Sequence, residues 1–556
     1  MPPDLQLTVG DLSRSHARRE YREGIVLKPL EVFALYPGHS HTLHGLFESR
    51  ASIDPDRPFL AFGDRRYSWR TFGEEVRRVA TVLHGKGLRR GDRVAIVATN
   101  SDAHVVLLFA LTRLGAAMVP LNPSYGPSEI SFILTNADVA GVVATQATLP
   151  VVREAIDATS LRPWLMQVDG AADDALDFFA EGGPDAPAPA TGEAGDICLI
   201  IYTSGTTGSP KGVMHSQRNY VFSAKVAAGR VALQPDDKVL IVLPFFHVNA
   251  LFYSLASILA AGASGTILPR FSASTFWDSV AETGATQVNI IETIGNILAK
   301  RPRDEFRPDH RLRIMYGVRQ AYVRTFREEF GVPQLVTGFG MTECPGVICN
   351  PPEGPAKPGS MGIAATHPDK SRPWTETRVV DDAGNDVPDG EVGELLVKTP
   401  TLMQGYFRDP AQTEAAFRDG WFMTGDLVRR DADGYFYFVS RKKDIIRRRG
   451  ENISGAEIDR VIGEHPGVHE VAAVAVPSEL GEDEILAAVV RKPGADIEAQ
   501  DIAAWCRDRL APMKVPRFVL FLDELPKTPT HKVAKAALRA DPTLSKRATD
   551  LQPPAG

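Results

Sequence analysis

The sequence predicts an α/β protein: a large N-terminal domain of α/β subdomains with a small β-rich subdomain, followed by a small, mobile α+β C-terminal domain. Three observations predict this fold class. Apolar, β-branched runs alternate with helical patterns over most of the chain, which is typical of parallel sheets with helices on their faces. From about Thr377, short strand patterns and turns replace that alternation, and the final segment resumes it. The length of 556 residues also exceeds what a single hydrophobic core organises.

The N-terminal alternation begins with a helix and a strand. The segment TFGEEVRRVATVLHGKG has a helical apolar stripe, and Thr71 and Glu74 have the spacing of a capping box at its start. DRVAIVAT predicts a buried strand, and AHVVLLFALTRLGAAMVPL predicts a helix that leads into another strand. STFWDSVAET predicts a later helix. Further strands are predicted by DKVLIVLPF, GASGTILP, TQVNIIE, RLRIMYGV and PQLVTGF.

The pattern then changes to that of a β-rich subdomain. TRVVDDAGNDVPDGEVGELLVKT has short strand patterns separated by turn residues. We place the subdomain at about residues 350–440 of an N-terminal domain that covers residues 1–442. Residues 443–556 are the predicted C-terminal domain, with strands expected in VHEVAAVAVPS, EILAAVVRK and RFVLFLDELP.

Composition excludes several classes of function. Apolar residues make up 44% of the chain and charged residues 24%, which is typical of a soluble globular protein. The net charge of −7 gives no overall attraction to nucleic acid. No apolar run reaches the roughly 20 residues that span a bilayer, and the N-terminal residues lack the apolar region of a signal peptide. The four cysteines show no metal-ligand spacing. We therefore expect a cytoplasmic protein that acts on a small molecule.

A loop of small residues is the first candidate site. YTSGTTGSPKGV, Tyr202–Val213, follows the strand pattern DICLII. Glycines let a ligand approach the backbone N–H groups, hydroxyls add donors and Lys211 adds charge, so a strand, this loop and a following helix predict a phosphate site. The spacing does not fit the Walker form, because Lys211 lies between Pro210 and Gly212. A flexible turn without a ligand is the alternative for this loop taken alone.

Other candidate motifs follow along the chain. PFFHVNAL places His247 after two aromatic residues, and VTGFGMTE ends a strand pattern with Glu343. GWFMTGDL ends near Asp426, and SRKKDIIRRRGENIS combines basic residues with Asp444. LPKTPTHKVAKAALR supplies several lysines near the end of the chain.

Together these motifs resemble the adenylate-forming superfamily, which contains acyl-CoA synthetases, firefly luciferase and the adenylation domains of peptide synthetases. The resemblance extends from about Thr42 to Arg539. It is greatest to medium-sized acyl- and aryl-CoA ligases, including the crotonobetaine/carnitine–CoA ligase branch. It implies that a carboxylate attacks the α-phosphorus of ATP to give an acyl-adenylate, and that CoA then takes the acyl group. The implied cofactors are ATP, Mg²⁺ and CoA.

The resemblance also assigns the residues of the nucleotide site. Thr206 and Glu343 would complete the Mg²⁺ shell, Phe339 would stack on adenine, and Asp426 would bind both ribose hydroxyls. Nearby glycines would let the flat base approach the backbone. The full set of residues assigned to the nucleotide is Thr203, Ser204, Gly205, Thr206, Thr207, Gly208, Lys211, Gly317, Gly338, Phe339, Gly340, Met341, Thr342, Glu343, Asp426, Phe438 and Arg441.

Lys532 matches the late catalytic lysine of the superfamily, which bridges the substrate carboxylate and the α-phosphate. Lysine suits this role because its compact charge can follow oxygen atoms as the bond shifts. The superfamily usually has glycine directly before this lysine, whereas this chain has His531. That departure leaves Lys527 and Lys535 open as alternatives.

Lys443 matches the hinge about which the C-terminal domain of the superfamily rotates between the two half-reactions. Gly450 and Glu451 would border the channel for CoA. The run Arg447–Arg449 has two interpretations, since it either contacts the phosphates of CoA or forms a solvated basic face.

The resemblance places an acyl pocket among mostly apolar and aromatic residues, which favours a hydrophobic carboxylic acid. His247 would gate this pocket near the reacting carboxylate. An amino acid substrate is not expected unless Glu292 binds its amino group. The assigned pocket residues are Phe246, His247, Asn249, Asn289, Tyr316 and Val318.

Two alternatives to an acid–CoA ligase stay open. The chain could be an adenylating enzyme that hands its acyl-adenylate to a separate carrier protein, an amine or a companion CoA-transferring protein. It could also be a non-catalytic sensor of acyl groups or nucleotides, although Lys211, Glu343 and Asp426 argue against that. A homodimer is compatible with the sequence.

Overall fold

The structure is a computed structural model that describes residues 14–172, 174–180, 188–203, 210–318, 320–351, 356–366, 374–448, 451–477, 483–527 and 533–551. These residues divide into two compact units. The larger unit contains described residues up to 203, 210–376 and 398–417, and the smaller contains 377–397 and those from 418 onward. Residues 377–397 and 418–440 of the predicted β-rich subdomain therefore group with the C-terminal residues, and the boundary at Lys443 stays a prediction.

The larger unit contains most of the helices. They are α1 (Arg14–Arg22), α2 (Pro29–Ala34), α3 (Leu43–Ala51), α4 (Trp69–Gly85), α5 (Asp102–Leu114), α6 (Pro127–Ala137), α7 (Leu149–Asp157), α8 (Gln217–Arg230), α9 (Ala256–Ala261), α10 (Phe276–Thr283), α11 (Glu292–Lys300) and α12 (Pro410–Ala415). It also contains π-helices at Asn249–Leu255 and Thr325–Glu329 and 3₁₀ turns at Arg303–Glu305 and Gln320–Tyr322.

The strands of the larger unit form two large sheets and one small one. They are β1 (Pro58–Phe62), β2 (Arg65–Ser68), β3 (Arg93–Val97), β4 (Ala117–Leu121), β5 (Gly141–Ala144), β6 (Trp164–Gln167), β7 (Leu176–Asp177), β8 (Ile197–Thr203), β9 (Lys211–Ser216), β10 (Lys238–Ile241), β11 (Ser264–Ile267), β12 (Gln287–Asn289), β13 (Ile314–Tyr316), β14 (Gln334–Val336), β15 (Gly338–Phe339), β16 (Ile348–Cys349) and β17 (Ile363–Ala364).

Each large sheet has seven strands that are parallel except at one edge. One has the order β7-β6-β5-β3-β4-β8-β9, and the other has the order β14-β13-β12-β10-β11-β1-β2. The antiparallel edge pairs are β8 with β9 and β1 with β2. The four residues 94–97 of β3 are fully buried, which explains why parallel strands covered on both faces appear as apolar runs in the sequence.

The helix α4 begins earlier than the sequence predicted. Its N-cap is Ser68, whose hydroxyl accepts the Thr71 N–H at 3.2 Å, and the Thr71 hydroxyl accepts the Ser68 N–H at 2.9 Å. The predicted capping box between Thr71 and Glu74 is therefore wrong. Thr71 is the far member of the box, and its hydroxyl takes the place of the usual Glu or Gln side chain.

The smaller unit combines a β-rich part with an α+β part. Its strands are β18 (Glu376–Val380), β19 (Val392–Lys398), β20 (Phe417–Arg418), β21 (Trp421–Arg430), β22 (Phe436–Arg441), β23 (Ile445–Arg448), β24 (Glu451–Ser454), β25 (Val468–Pro477), β26 (Asp483–Arg491), β27 (Phe518–Phe521) and β28 (Thr549–Asp550). Its helices are α13 (Gly455–Gly463), α14 (Ala499–Arg507), α15 (Lys535–Ala540) and α16 (Leu544–Arg547), with 3₁₀ turns at Lys442–Asp444 and Pro512–Lys514.

In the β-rich part, the strand order is β18-β19-β21-β20, with β22 paired to β21. The last sheet, β25-β26-β27-β28, mixes antiparallel pairs with the parallel pair β26–β27 and packs against α13. The predicted fold class is confirmed in both units. Across the described residues, helices both long and apolar enough to traverse a bilayer are absent.

Candidate active site

The predicted phosphate loop joins two strands of one hairpin. β8 ends at Thr203 and β9 begins at Lys211, and these two residues are antiparallel partners. The predicted contacts Ser204, Gly205, Thr206, Thr207 and Gly208 lie outside the described residues. The helix expected directly after the loop is wrong, because β9 intervenes and α8 begins only at Gln217.

Tyr406 links the lysine of this hairpin to the predicted magnesium carboxylate. The Lys211 ammonium lies 5.2 Å from the centre of the Tyr406 ring and donates to the Gln412 side-chain oxygen at 2.6 Å. The Tyr406 hydroxyl donates to Glu343 Oε1 at 2.9 Å. Burial, together with the Glu343 carboxylate, raises the pKa of Tyr406. The hydroxyl therefore stays protonated and holds one oxygen of the buried Glu343 in place.

His215 fixes the chain next to Glu343. It lies buried on β9, with Nε2 2.8 Å from the Thr342 carbonyl oxygen and Nδ1 2.7 Å from the Asn219 amide nitrogen. Since that amide nitrogen donates, Nδ1 accepts and the Nε2–H donates to Thr342. Burial lowers the pKa of His215 to about 4, so the ring is neutral. His215 was not predicted, because a helix was expected where β9 lies.

The glycines assigned to adenine are required by the protein's own packing. A Cβ at Gly340 would lie 2.4 Å from the Tyr253 hydroxyl oxygen. Gly317 has a φ of +95°, and a Cβ there would lie 2.1 Å from the Ile290 carbonyl oxygen. Side chains would therefore clash at both positions whether or not a base is bound. The resemblance alone had explained these glycines by the approach of the base.

The predicted adenine-stacking residue lies on the small antiparallel sheet. Phe339 is half-buried on β15 and pairs with Ile348 on β16. The residues after it turn tightly, because the N–H groups of Met341 and Cys344 each donate to the other's carbonyl oxygen, at 3.3 and 3.2 Å. Glu343 lies within this turn, directly before Cys344.

Asn100 anchors the turn that carries His247. The Phe246 and His247 ring centres lie 4.5 Å apart. The neighbouring Phe245 is fully buried, and its N–H donates to Asn100 Oδ1 at 2.9 Å. Asn100 Nδ2 in turn donates to the Leu243 carbonyl at 2.8 Å. This contact could not be predicted, because Asn100 lies far from the motif along the chain.

The predicted acyl-pocket residues lie around the start of a π-helix, a distortion that is frequent at functional sites. Asn249 opens this helix, and the buried Asn289 donates to Ser254 Oγ on it at 2.8 Å. The Tyr316 ring centre lies 5.7 Å from that of Tyr253. Val318 is buried as well.

Arg230, which no sequence motif indicated, lies against Tyr316 of this pocket and the neighbouring Tyr253. Its guanidinium carbon is 4.2 Å from the ring centres of both Tyr253 and Tyr316. Burial raises the pKa of Tyr316, and the charge of Arg230 opposes that shift.

The residues assigned to ribose meet in the smaller unit. Asp426 on β21 and Arg441 on β22 are antiparallel partners, and Arg441 Nε lies 3.0 Å from Asp426 Oδ1. Asp426 is fully buried, and its N–H donates to the Thr424 hydroxyl at 3.1 Å. Phe438, on the same strand as Arg441, is an exposed aromatic residue. A buried carboxylate held by an arginine suits the binding of hydroxyl groups.

Lys443 lies in a 3₁₀ turn between two residues with ion pairs. Lys442 Nζ is 3.0 Å from Glu394, and Asp444 is 2.7 Å from Arg539. Burial, assisted by the charge of a neighbouring arginine, lowers the pKa of Lys443.

Lys532 and His531 lie outside the described residues. The two alternative lysines both have carboxylate partners within the smaller unit. Lys527 forms an ion pair with Glu470, and Lys535 Nζ lies 2.5 Å from Asp459. The ammonium groups of both alternative lysines are therefore held in ion pairs.

The middle residue of the basic run is structural. Arg448 is buried, its Nε lies 2.7 Å from Glu484, and its Nη1 donates to the Met513 carbonyl at 2.6 Å. Neither sequence interpretation of the run therefore applies to Arg448. Gly450 and the side chain of Glu451 lie outside what the structure describes.

Comparisons with known proteins identify the family of this chain. Residues 47–407 match the family model of AMP-binding enzymes, and residues 457–532 match the model of the AMP-binding enzyme C-terminal domain. A sulfoacetate–CoA ligase of Cupriavidus necator is 34% identical over 89% of this chain and 97% of its own length.

Two solved structures are also similar. ATP-bound MatB from Rhodopseudomonas palustris has a TM-score of 0.79 at 30% identity, over 90% of this chain and 98% of its own. The anthranilate CoA ligase AuaEII with anthranoyl-AMP has a TM-score of 0.83 at 26% identity, over 92% and 99%. The chain belongs to the family of AMP-binding enzymes and is an ATP-dependent acid–CoA ligase.

Proposed function

We propose that this ligase activates a carboxylic acid with a hydrophobic body, and that the residues described above divide the work as follows. Lys211, with the loop before it, neutralises the outer phosphates of ATP, and Glu343, with Thr206, holds Mg²⁺. The contact of both Lys211 and Glu343 with Tyr406 is the observation that carries this proposal. An anion attacks a polyanion in the first step, so charges held in fixed positions do most of the catalytic work.

The residues present fit a bound magnesium ion. Mg²⁺ prefers hard oxygen ligands and retains water, so one carboxylate together with phosphate oxygens is sufficient. Bound Mg²⁺ supplies neutralisation of the triphosphate charge. Glu343 suits this role because the Tyr406 hydroxyl fixes one of its oxygens and the buried His215 fixes the residue before it. Such outer contacts orient a metal ligand.

The remaining roles follow from position. Asp426 and Arg441 bind the ribose, and Phe339 stacks on the base. His247, on the turn held by Asn100, gates the acyl pocket. Gly450 and Glu451 border the CoA channel.

Lys532 neutralises the reacting carboxylate and the α-phosphate while the bond between them forms. The ion pairs of Lys527 and Lys535 support this choice of lysine, because both alternatives are held by carboxylates. Lys443 is the hinge that removes Lys532 before CoA arrives.

The identity of the acid cannot be transferred from similar proteins. Sulfoacetate has a second acidic group, whereas anthranilate has an amine. In this chain, Tyr253, Tyr316 and Val318 provide buried aromatic and apolar surface beside the predicted pocket. That lining supports an acid with an apolar body.

The test of the proposed function is acid-dependent exchange of labelled pyrophosphate into ATP over a panel of acids, followed by addition of CoA. If a thioester forms when CoA is the only acceptor supplied, then CoA itself, and not a carrier protein, takes the acyl group. Exchange without thioester would indicate another acceptor, and no exchange with any acid would contradict the proposal.

Lys532→Ala is expected to lower this exchange by at least about a hundredfold, the loss typical when a group that stabilises transition-state charge is removed. Lys527→Ala is the matched control, since its ammonium is paired with Glu470, and it should retain most of the exchange. If Lys527→Ala lost pyrophosphate exchange while Lys532→Ala retained the wild-type rate, Lys527 and not Lys532 would be the catalytic lysine.

A further inference from the structure

We propose that the acid activated by this chain carries a second anionic group, a carboxylate or a sulfonate, and that Arg230 binds it. The inference rests on the proposed function, because it takes the region around Tyr316 to be the acyl pocket. In addition to an apolar body, the acid must then carry a second negative charge, and Arg230 is the residue that selects for that charge.

Arg230 is a buried cation with unused donors. It is the last residue of α8 and is 4% exposed. Its Nε and Nη1 are both buried, and neither has a hydrogen-bond partner among the described residues. Two guanidinium nitrogens that have lost water without gaining acceptors are unfavourable, and the hydrogen bond of Arg230 to Tyr316 does not satisfy these two. The stacking of Arg230 on Tyr253 and Tyr316 compensates for only part of that loss.

A second buried arginine, Arg50, shows how the hydrogen-bond donors of a structural arginine are satisfied in this chain. Arg50 is 3% exposed, and its guanidinium carbon lies 4.5 Å from the Tyr36 ring centre. Its Nε and Nη2 donate to the carbonyl oxygens of Leu259 and Ala260 at 3.1 and 2.8 Å, and its Nη1 donates to Ser49 Oγ at 3.0 Å. All three nitrogens of Arg50 have acceptors, whereas two of those of Arg230 have none among the described residues.

The two tyrosines place Arg230 next to the predicted adenine strand. A Cβ at Gly338 would lie 3.1 Å from the Tyr316 hydroxyl oxygen, and one at Gly340 would lie 2.4 Å from that of Tyr253. Each hydroxyl therefore abuts one of the glycines that flank the adenine-stacking residue. Arg230 lies on these same two rings. An acid whose reacting carboxylate reaches the nucleotide can place its far end beside them.

The chemistry of the cluster favours an oxyanion at that end. Carboxylate and sulfonate oxygens form short, charge-assisted bonds with guanidinium groups. Asn249 lies four residues before Tyr253 on the π-helix, and its side-chain oxygen is also buried without a partner in the described part of the chain. An oxyanion offers no proton to that oxygen, so the group is bound by Arg230 rather than by Asn249.

The wild-type enzyme gives the first test. Acid-dependent pyrophosphate release is measured as kcat/KM for acids of similar length with and without the second anion: butanoate against succinate and 3-sulfopropanoate, hexanoate against adipate, and benzoate against isophthalate. In at least one series, the doubly charged acid should be favoured at least about tenfold. The sulfonate distinguishes the two kinds of oxyanion. Preference for the singly charged acid in every series would overturn the proposal.

Variants at Arg230 give the second test. Arg230→Met should lower kcat/KM for the doubly charged acid by about a hundredfold or more, chiefly through KM, as expected when one partner of a buried charge pair is truncated. The same variant should change the singly charged acid little. Arg230→Lys retains the charge but not the planar geometry, so its loss should be intermediate.

Arg50→Met is the matched control, and it should lower the melting temperature without changing the preference between acids. Equal losses for both acids in Arg230→Met, or a lower melting temperature with the preference retained, would make Arg230 structural and overturn the inference. If Arg230→Met fails to fold, Arg230→Lys and the wild-type preference decide. Absence of activity with every acid would instead count against the proposed function.

Discussion

Glu343 is the proposed magnesium ligand, and the position of its carboxylate depends on a neighbour distant in sequence. Its buried carboxylate accepts a hydrogen bond from Tyr406, 63 residues away. Glu343→Gln retains the shape and the acceptor but removes the charge that attracts Mg²⁺. The Mg²⁺ concentration for half-maximal pyrophosphate exchange should therefore rise at least about tenfold, the lower end of what lost metal contacts cause. A Mg²⁺ titration at saturating acid measures this.

Tyr406→Phe provides the graded comparison, because it retains the ring under Lys211 and the Glu343 charge but removes the hydroxyl. Its Mg²⁺ requirement should lie between those of the wild type and Glu343→Gln. If the Mg²⁺ titration of Glu343→Gln were the same as that of the wild type, Glu343 would not be a magnesium ligand.

The sequence can single out candidate residues that belong to a short motif, and their roles stay predictions; it cannot single out residues that make contacts across the fold. Lys211, Glu343 and Asp426 each belong to a recognisable run of neighbours, so the resemblance assigned them. His215 contacts Thr342 over 127 positions, and Arg230 meets its tyrosines only in the folded chain. Such partners are set by sheet order and strand register, which local patterns do not encode.

Among the elements, β9 forms one edge of its sheet and also positions a residue beside the candidate site. It carries His215, which donates to Thr342 and accepts from Asn219. In the folded chain the pKa of His215 is about 4, whereas an exposed histidine titrates near 6.5. Between these values the unfolded chain binds a proton that the folded chain does not, so this histidine lowers stability as the pH falls from about 6.5 toward 4.

The free energy of unfolding should therefore decrease between pH 7.5 and 5, with a contribution from His215 of up to about 1.4 kcal/mol per pH unit within that window. Urea unfolding at several pH values measures it. His215→Gln should flatten the slope while lowering stability at pH 7.5. An identical slope in His215→Gln would mean that this histidine does not titrate on unfolding.

Element type was predictable where burial is uniform and less so where it is not. Apolar runs such as RVAIV became strands of the parallel sheets because both faces are covered. The edge strand β9, KGVMHS, contains few apolar residues, so its strand character was hidden and a helix was expected in its place. The cap of α4 was misplaced because Ser68 and Thr71 form the box through hydroxyls rather than through a carboxylate.

At the scale of the whole molecule, chain order and spatial grouping differ. Residues 398–417 belong to the larger unit, although the segments on both sides of them belong to the smaller one. The length predicted more than one core, and two units are present. The return of residues 398–417 to the larger unit could not be predicted, because contacts in the folded chain, and not composition, decide to which unit a segment belongs.

Lys443 is the proposed point about which the C-terminal domain turns, and the backbone there can be tested directly. Proline fixes φ near −65°, which is compatible with the 3₁₀ turn Lys442–Asp444. If the backbone at this position must rotate between half-reactions, Lys443→Pro should preserve one half-reaction and lower the other by at least about tenfold. Pyrophosphate exchange and single-turnover thioester formation from preformed acyl-adenylate measure the two separately. Lys443→Ala removes the charge but leaves the backbone free, so both half-reactions should persist. Equal effects of Lys443→Pro on both would place the hinge elsewhere in the chain.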